Sequence, residues 1–500
     1  MVILILAITG VLLLAYGNQS VIVNSRTGAE QLITDSQVNR EALTKAQELL
    51  EQEQSLARKD FNLVNAATST DGFFQESLSV KQTDFFTKEV TATVGWLAYP
   101  NRNLSVNLSA KITNFQNAVG GNTCNSSPSG DWSHPQIASS SLASLIGDVS
   151  GTYTISDLDA YQGKLYVTAS DTATKTAPTI FIFNISSTTP SISLVPGGKL
   201  DNATSTKTGL NAIAVAGNYA YVANANAPDF SSCSQGPSCA QLQVVDISNP
   251  AAPFVAANYK ISDVTGVGGV GNSIFYRDGY VYLGLSQTGG GPEFNIIDVH
   301  KPLFLSAFSR VGKFAVGKQL NAVFAKGNYA YLAIATNTGK ELKSLDISNV
   351  YSPQPMGSFD GHDSGNVTYA HGKSLYPVGD TLYFGRTLDN AADDFYFLDI
   401  SNPATSTYSS LGSINLQDSG SDTSLDGLVV RSNLAFLVTK KQLQIWDLAS
   451  SSSPSLLKAS ALPASGNPVE PSIDCESNYL YVGSNDSSGN GYISIISPGP

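Results

Sequence analysis

Five hundred residues exceed one ordinary domain of about 100–200 residues, so the chain holds two or three units, one of them a closed all-β ring. Only 14% of residues are charged, and the formal net charge is −12. That balance excludes nucleic acid as a partner, because phosphate binding needs Lys and Arg.

Residues 1–16, MVILILAITGVLLLAY, carry no charge, and the first basic residue is Arg26. Neither the basic start nor the small-residue cleavage site of a secretory signal is visible. A helix over 1–23 would span roughly 35 Å, enough for a bilayer. From 24 to 66 apolar residues such as Leu32, Leu43, Ala46, Leu50 and Phe61 recur at mostly helical spacing between charges. No proline occurs before Pro100 and no glycine between Ala29 and Asp71. One continuous helix over 1–66 is expected, apolar to 23 and amphipathic beyond.

Alternation returns in VTATV at 90–94 and LSVNL at 104–108, with a turn over 99–103. This predicts a β-hairpin within a small β-rich collar, 67–119, followed by a polar linker, 120–134. The uncharged N-terminus, the long helix and the stretches 90–96 and 103–115 together resemble type IV pilins and their minor-pilin relatives. The resemblance implies a leader removed just before Met1 and insertion in the inner membrane before assembly. It implies a filament core made by copies of this chain through Met1, Val2, Ile3, Leu4, Ile5, Leu6, Ile8, Val11, Leu12, Leu13 and Leu14. The chain departs from that family at Ile5, where the family has Glu. A simple uncleaved membrane anchor is the competing reading.

The remainder repeats. A tight turn and strand start recurs seven times: QGKLYVTAS at 162, GNYAYVANA at 217, DGYVYLGLS at 278, GNYAYLAIA at 327, GDTLYFGRT at 379, SNLAFLVTK at 432 and SNYLYVGSN at 477. Each is followed by an apolar strand and a turn, as in LQVVDISNP at 242 and FYFLDISNP at 395. The turn position holds Asp246, Asp298, Asp346, Asp399 and Asp447, with Asn184 and Ser497 completing the series at intervals of 48–62 residues. The Asp can accept backbone N–H bonds within its own turn, which explains it structurally. Four short strands per repeat, seven times, predict a seven-bladed β-propeller over 135–500. The expected fold class is therefore mainly β. These repeats resemble the LVIVD family, a resemblance that implies a surface or secreted protein and supplies no catalytic residues.

The chain ends after the third strand of the last repeat, so 135–145 is expected to supply its outer strand and close the ring. Four cysteines in a chain rich in Ser and Thr suggest an oxidising compartment. A Cys124–Cys475 disulfide would lock that closure, and Cys233 with Cys239 would close a short local loop.

The four histidines lack partners at metal spacing, and no nucleophile elbow, phosphate loop or dinucleotide fingerprint occurs. No catalytic residue, metal ligand or cofactor is assigned. Oxygen-rich loops at 360–366 and 418–426 have the ligand type that calcium takes, without EF-hand spacing. Asn-x-Ser/Thr glycan acceptor patterns occur at Asn103, Asn107, Asn125, Asn184, Asn202, Asn366 and Asn485. The expected role is a filament subunit at the cell surface, displaying the propeller for adhesion to an unknown glycan or protein. A monomeric membrane-anchored binding module is the alternative.

Overall fold

The computed structural model describes residues 27–59, 64–84, 87–98, 101–113, 123–124, 128–148, 151–171, 179–186, 189–201, 210–224, 240–264, 269–287, 291–300, 308–336, 339–361, 371–387, 393–416, 424–451, 453–463 and 471–499. The chain divides into two compact units, 1–83 with 87–114, and 84–86 with 115–500.

In the first unit, helix α1 (Thr27–Lys59) lies against a four-stranded antiparallel sheet in sequential order: β1 (Ala67–Asp71), β2 (Phe74–Asp84), β3 (Thr87–Ala98) and β4 (Arg102–Thr113). Ala42, Ala46 and Leu50, spaced by four, bury one helix face against Phe74, Val90, Val94 and Trp96. Alternate residues of β3 point at the helix, and its register with β4 pairs Val94 with Val106 and Trp96 with Leu104. Asn101 sits at φ 61° in the connecting turn, a conformation Asn tolerates.

Two expectations change here. The helix is described to Lys59, and 64–66, expected to be helical, have no regular structure before β1. Two strands also precede the predicted hairpin. Strand β1 (ATSTD) has every residue exposed, and in β2 Glu76 and Lys81 break the alternation of Phe74, Leu78 and Val80, so neither stands out as a strand. No helix among the described residues is long and apolar enough to cross a membrane. Residues 1–26, which hold the whole expected assembly core, lie outside the described residues.

The second unit is built from small sheets. Six have four strands in sequential antiparallel order: A (153–201), B (210–259), C (271–314), D (320–359), E (372–414) and F (425–461). Sheet G joins 472–499 to two strands from far earlier, β5 (Thr123–Cys124) and β6 (Asp131–Ser141). The first, inner strands of successive sheets lie side by side, and that of G returns to that of A. This is a propeller-like arrangement. The hairpin after each inner strand starts with a residue at positive φ, namely Gln162, Gly217, Asp278, Gly327, Gly379, Ser432 or Ser477, as tight hairpin turns require.

The ring closes through β6, which pairs antiparallel with the third strand of G, Ile495 opposite Ala138. That strand begins at Asp131, inside the expected linker, and ends at Ser141. A short helix, α2 (Leu142–Ile146), capped by Ser141, takes the place of the predicted strand end. Strand β5 pairs parallel with the inner strand of G, and Cys124 is disulfide-bonded to Cys475 there, with Cα atoms 5.3 Å apart. Cys233 and Cys239 lie outside the described residues.

Neighbouring sheets also touch at their rims. A Cβ placed on Gly312 of the outer strand of C would lie 2.0 Å from the Val350 carbonyl in the turn of D. Gly412 meets Ser451 in the same way at 2.2 Å, and Gly197 meets Ala251 at 2.3 Å. Gly312→Ala is therefore expected to lower stability by about 1–3 kcal/mol, read as a fall in the urea midpoint with the slope unchanged.

Candidate functional site

The Asp turns are structural. Asp246, Asp346 and Asp399 each accept the backbone N–H two residues on, Ser248, Ser348 and Ser401, at 2.8–2.9 Å. Asp298 and Asp447 do the same for His300 and Ala449. Bonds from Ser348 and Ser401 hold the carboxyls of Asp346 and Asp399 below their ordinary value. Sequence reading missed one further copy: Asp131-Trp-Ser-His-Pro135, whose Asp131 accepts Ser133 N–H at 2.9 Å. The Ser133 and His134 side chains bring the Asp131 carboxyl down to about 2. The turn missing after the last third strand is thus supplied from the start of the ring.

Ser133, His134 and Asp131 superficially suggest a nucleophile, base and orienting acid. Both contacts, 3.0 Å to Ser133 and 2.7 Å to Asp131, use the same nitrogen, His134 Nδ1. A relay needs one ring nitrogen for each partner, so this is turn chemistry. His300 likewise bonds Asp298 within its turn, His371 Nδ1 lies 3.2 Å from the Thr336 carbonyl, and His362 is outside the described residues. Cys124, Asp474 and Cys475 lie close enough together to hold a metal, but the two sulfurs are joined as the disulfide.

The concave feature is an axial funnel of about 450 Å3, lined from the inner strands of every sheet. At one equivalent position per sheet the lining holds Ser156, Asn211, Asn272, Asn321, Lys373, Asp426 and Pro471. Each amide ties its sheet to the next. Asn211, Asn272 and Asn321 donate through Nδ2 to the carbonyls of Gly271, Leu320 and Gly372 at 2.7–2.8 Å. Ser156 donates to the Leu210 carbonyl in the same manner. Between E and F the link is Ser374 Oγ to the Leu425 carbonyl at 2.8 Å, beside Lys373 and Asp426 at 3.9 Å. Two positions further along the strands the lining turns aliphatic, with Ile274, Val323, Leu375, Leu428 and Ile473.

Around sheet A the inner strands carry acids instead. Asp157 and Asp159 accept the N–H groups of Ile213 and Val215 in sheet B at 2.9 and 2.7 Å. Asp474 and Glu476 of sheet G accept those of Ala160 and Gly163 at 2.6 and 2.7 Å. These carboxylates pair the backbone edges that inner strands would otherwise leave open. At the position of Asp159, sheets B to F have Ala214, Phe275, Phe324, Tyr376 and Val429, so the acids mark the closure. Burial pushes Asp157 and Asp474 up to about 7. Burial, then the charge of Asp474, pushes Asp159 well above its ordinary value.

A raised carboxyl favours the folded state when protonated. That contribution is complete below the unfolded value near 4 and is lost as pH rises through about 7. Melting temperature should therefore fall more over that window in the native chain than in an Asp159→Asn, Asp474→Asn variant. A flat difference between the two curves would contradict this assignment.

Comparison with known proteins adds one family. The LVIVD repeat model matches residues 211–227, 238–261 and 320–361, which take in strands and Asp turns of sheets B and D. Those three segments are LVIVD repeats. No curated protein matches the chain. Among solved structures, the extracellular domain of the putative hybrid two component system BT4673 from B. thetaiotaomicron is 10% identical, with a TM-score of 0.46. That match covers 86% of this chain and 54% of the other. The Pseudomonas aeruginosa periplasmic gluconolactonase PpgL is 12% identical over 61% of this chain and 84% of its own, TM-score 0.45. The N-terminal domain of Nup159 is 10% identical over 76% and 99%, TM-score 0.41. None of the three bears on what this chain does.

Proposed function

We propose that the chain is an extracytoplasmic, non-catalytic binding protein: a closed seven-bladed propeller of LVIVD repeats, working at the cell surface or in a periplasm. The Cys124–Cys475 disulfide carries the location, because such bonds persist in oxidising compartments. The non-catalytic reading is supported by the funnel, whose amide nitrogens and Ser156 hydroxyl are committed to neighbouring carbonyls rather than poised for chemistry. Biotinylation of intact cells with an impermeant reagent, followed by thiol counting on the recovered protein, tests this. Labelled protein with Cys124 and Cys475 oxidised is expected; unlabelled, reduced protein in the cytosol would refute it.

A finer reading is a pilus-like filament subunit that presents the propeller for adhesion to a glycan or protein. Support comes from the uncharged 1–23 stretch and from α1 laid across an antiparallel sheet. In that reading copies associate through Met1 to Leu14 after release from the membrane. Electron microscopy of native material should show filaments with propellers outside; single particles in micelles would leave the membrane-anchored module.

A further inference from the structure

We propose that Asn103 and Asn107 of strand β4 carry N-linked glycans, which cover the open face of the sheet in the first unit. This rests on the extracytoplasmic reading, because such sugars are transferred from lipid-linked donors on the far side of the membrane.

A chain rich in Asn, Ser and Thr makes acceptor patterns by chance, and the fold sorts the seven that occur here. Asn485 is 4% exposed. Its Oδ1 accepts the Ile155 N–H at 2.7 Å and its Nδ2 donates to the Ile155 carbonyl at 2.8 Å. A sugar on that nitrogen would break the seam between sheets G and A. Asn184 is half-buried in the third strand of A, between Lys164 and Ser193 of the flanking strands. Asn125, Asn202 and Asn366 lie outside the described residues. Asn103 and Asn107 remain, in the repeated triplet Asn-Leu-Ser, which fits the acceptor rule. Both are exposed, and so are Ser105 and Ser109, the hydroxyl residues of their patterns.

The sheet gives these two positions room. Leu104, Val106, Leu108 and Ala110 pack against the core shared with α1. The two-residue period of a strand therefore puts Asn103, Ser105, Asn107 and Ser109 on the opposite face. Strand β4 ends the sheet order, so each Asn has one neighbouring strand in that sheet. Across it, Asn107 faces Thr93 and Ser105 faces Gly95, both small, while Asn103 faces Leu97. Leu97 is 61% exposed, although directly opposed residues have Cβ atoms only about 5 Å apart. Phe73, 57% exposed, lies at the same end of the sheet. Its ring is 4.2 Å from that of Phe74, which in turn meets Trp96, the residue before Leu97. A first sugar on Asn103 can lay its C–H face over Leu97 and withdraw that apolar surface from water. About 13 Å of strand separates the two Asn residues, enough for a second glycan beside the first.

The donor is an oligosaccharide joined at C1 to a polyprenyl phosphate or pyrophosphate. In the transfer a bond forms between Asn Nδ2 and C1, the bond from C1 to the phosphate oxygen breaks, and the lipid phosphate leaves with the electron pair while Nδ2 loses one proton. Mass spectrometry of protein from native cells tests the proposal. Trypsin cuts after Arg102 and Lys111, so a single peptide, NLSVNLSAK, holds both sites. That peptide should carry two glycans, and the peptide holding Asn485 none. Ser105→Ala should remove the glycan of Asn103 alone, and Ser109→Ala that of Asn107 alone. Ser109 Oγ also lies 2.7 Å from Thr91 Oγ1. Ser109→Thr keeps both a hydroxyl and the acceptor pattern, so it should retain the glycan and separates loss of the pattern from loss of the fold. Sugars that survive both Ser→Ala changes, or a sugar on Asn485 of folded protein, would overturn the proposal. Bare Asn103 and Asn107 on oxidised protein at the cell surface would overturn the glycans alone. Reduced, unmodified protein in the cytosol would overturn the glycans together with the location.

Discussion

Arg386→Ala should destabilise the propeller unit by about 3–5 kcal/mol, the largest expected effect of a single substitution. Arg386 ends the second strand of sheet E and is fully buried, as is its partner Glu341 of sheet D, with 2.6 Å between Nη2 and Oε1. Its other amino group donates to the Asp393 carbonyl at 2.9 Å, and its guanidinium lies 5.6 Å from the centre of the Tyr396 ring. Truncation leaves the Glu341 carboxylate in an apolar interior without its cation. The pair itself contributes far less, because both charges had to leave water. A double variant, Arg386→Met with Glu341→Gln, should therefore recover most of the loss. Urea unfolding of Arg386→Met, Glu341→Gln and their double variant gives the coupling directly. A double variant as unstable as Arg386→Ala would show that shape, not charge, governs the site.

Cys124→Ser or Cys475→Ser should lower stability by about 2–5 kcal/mol. The bond closes a loop with a sequence separation of 351, so its removal frees a long stretch of the unfolded chain. Its position matters as much as its length. Cys475 is fully buried on the inner strand of G. Just beyond Cys124 the chain holds to sheet G through β6 and through contacts such as Ser129 with Asn478. Limited proteolysis should accordingly cut either variant first within 125–141, ahead of sheets B to E. Cleavage elsewhere first would place the weakest seam away from the closure.

How much of this was legible depended on the separation of the partners in the chain. The repeated hairpins and the Asp turns are local, and each could be read from a dozen adjacent residues. The collar hairpin was legible for the same reason, whereas β1 is polar throughout and charges break the alternation of β2. The sheet-to-sheet devices join residues about fifty apart. Asn211, Asn272 and Asn321 stand at the same place in their repeats, and aligning the copies residue by residue would have exposed them. Gln241, Glu293, Glu341 and Asp394 form a second such series, each just before a third strand. They accept loop N–H groups from Ile261, Val316, Gly361 and Leu416. The acids at the closure break the repeat pattern instead, so only the partner strand explains them. Asp131 was hidden because its turn completes a strand that lies at the other end of the chain.

The order of connections at the closure also fixes how the molecule bears tension. A pull arriving along the chain from the helix-bearing unit reaches Cys124 before it reaches β6. Without the disulfide, the load would fall on the end of β6 and peel it from sheet G one hydrogen bond at a time. With it, force passes to Cys475 on the inner strand of that sheet. A pull on the N-terminal side therefore meets the inner strand of sheet G before the outer one.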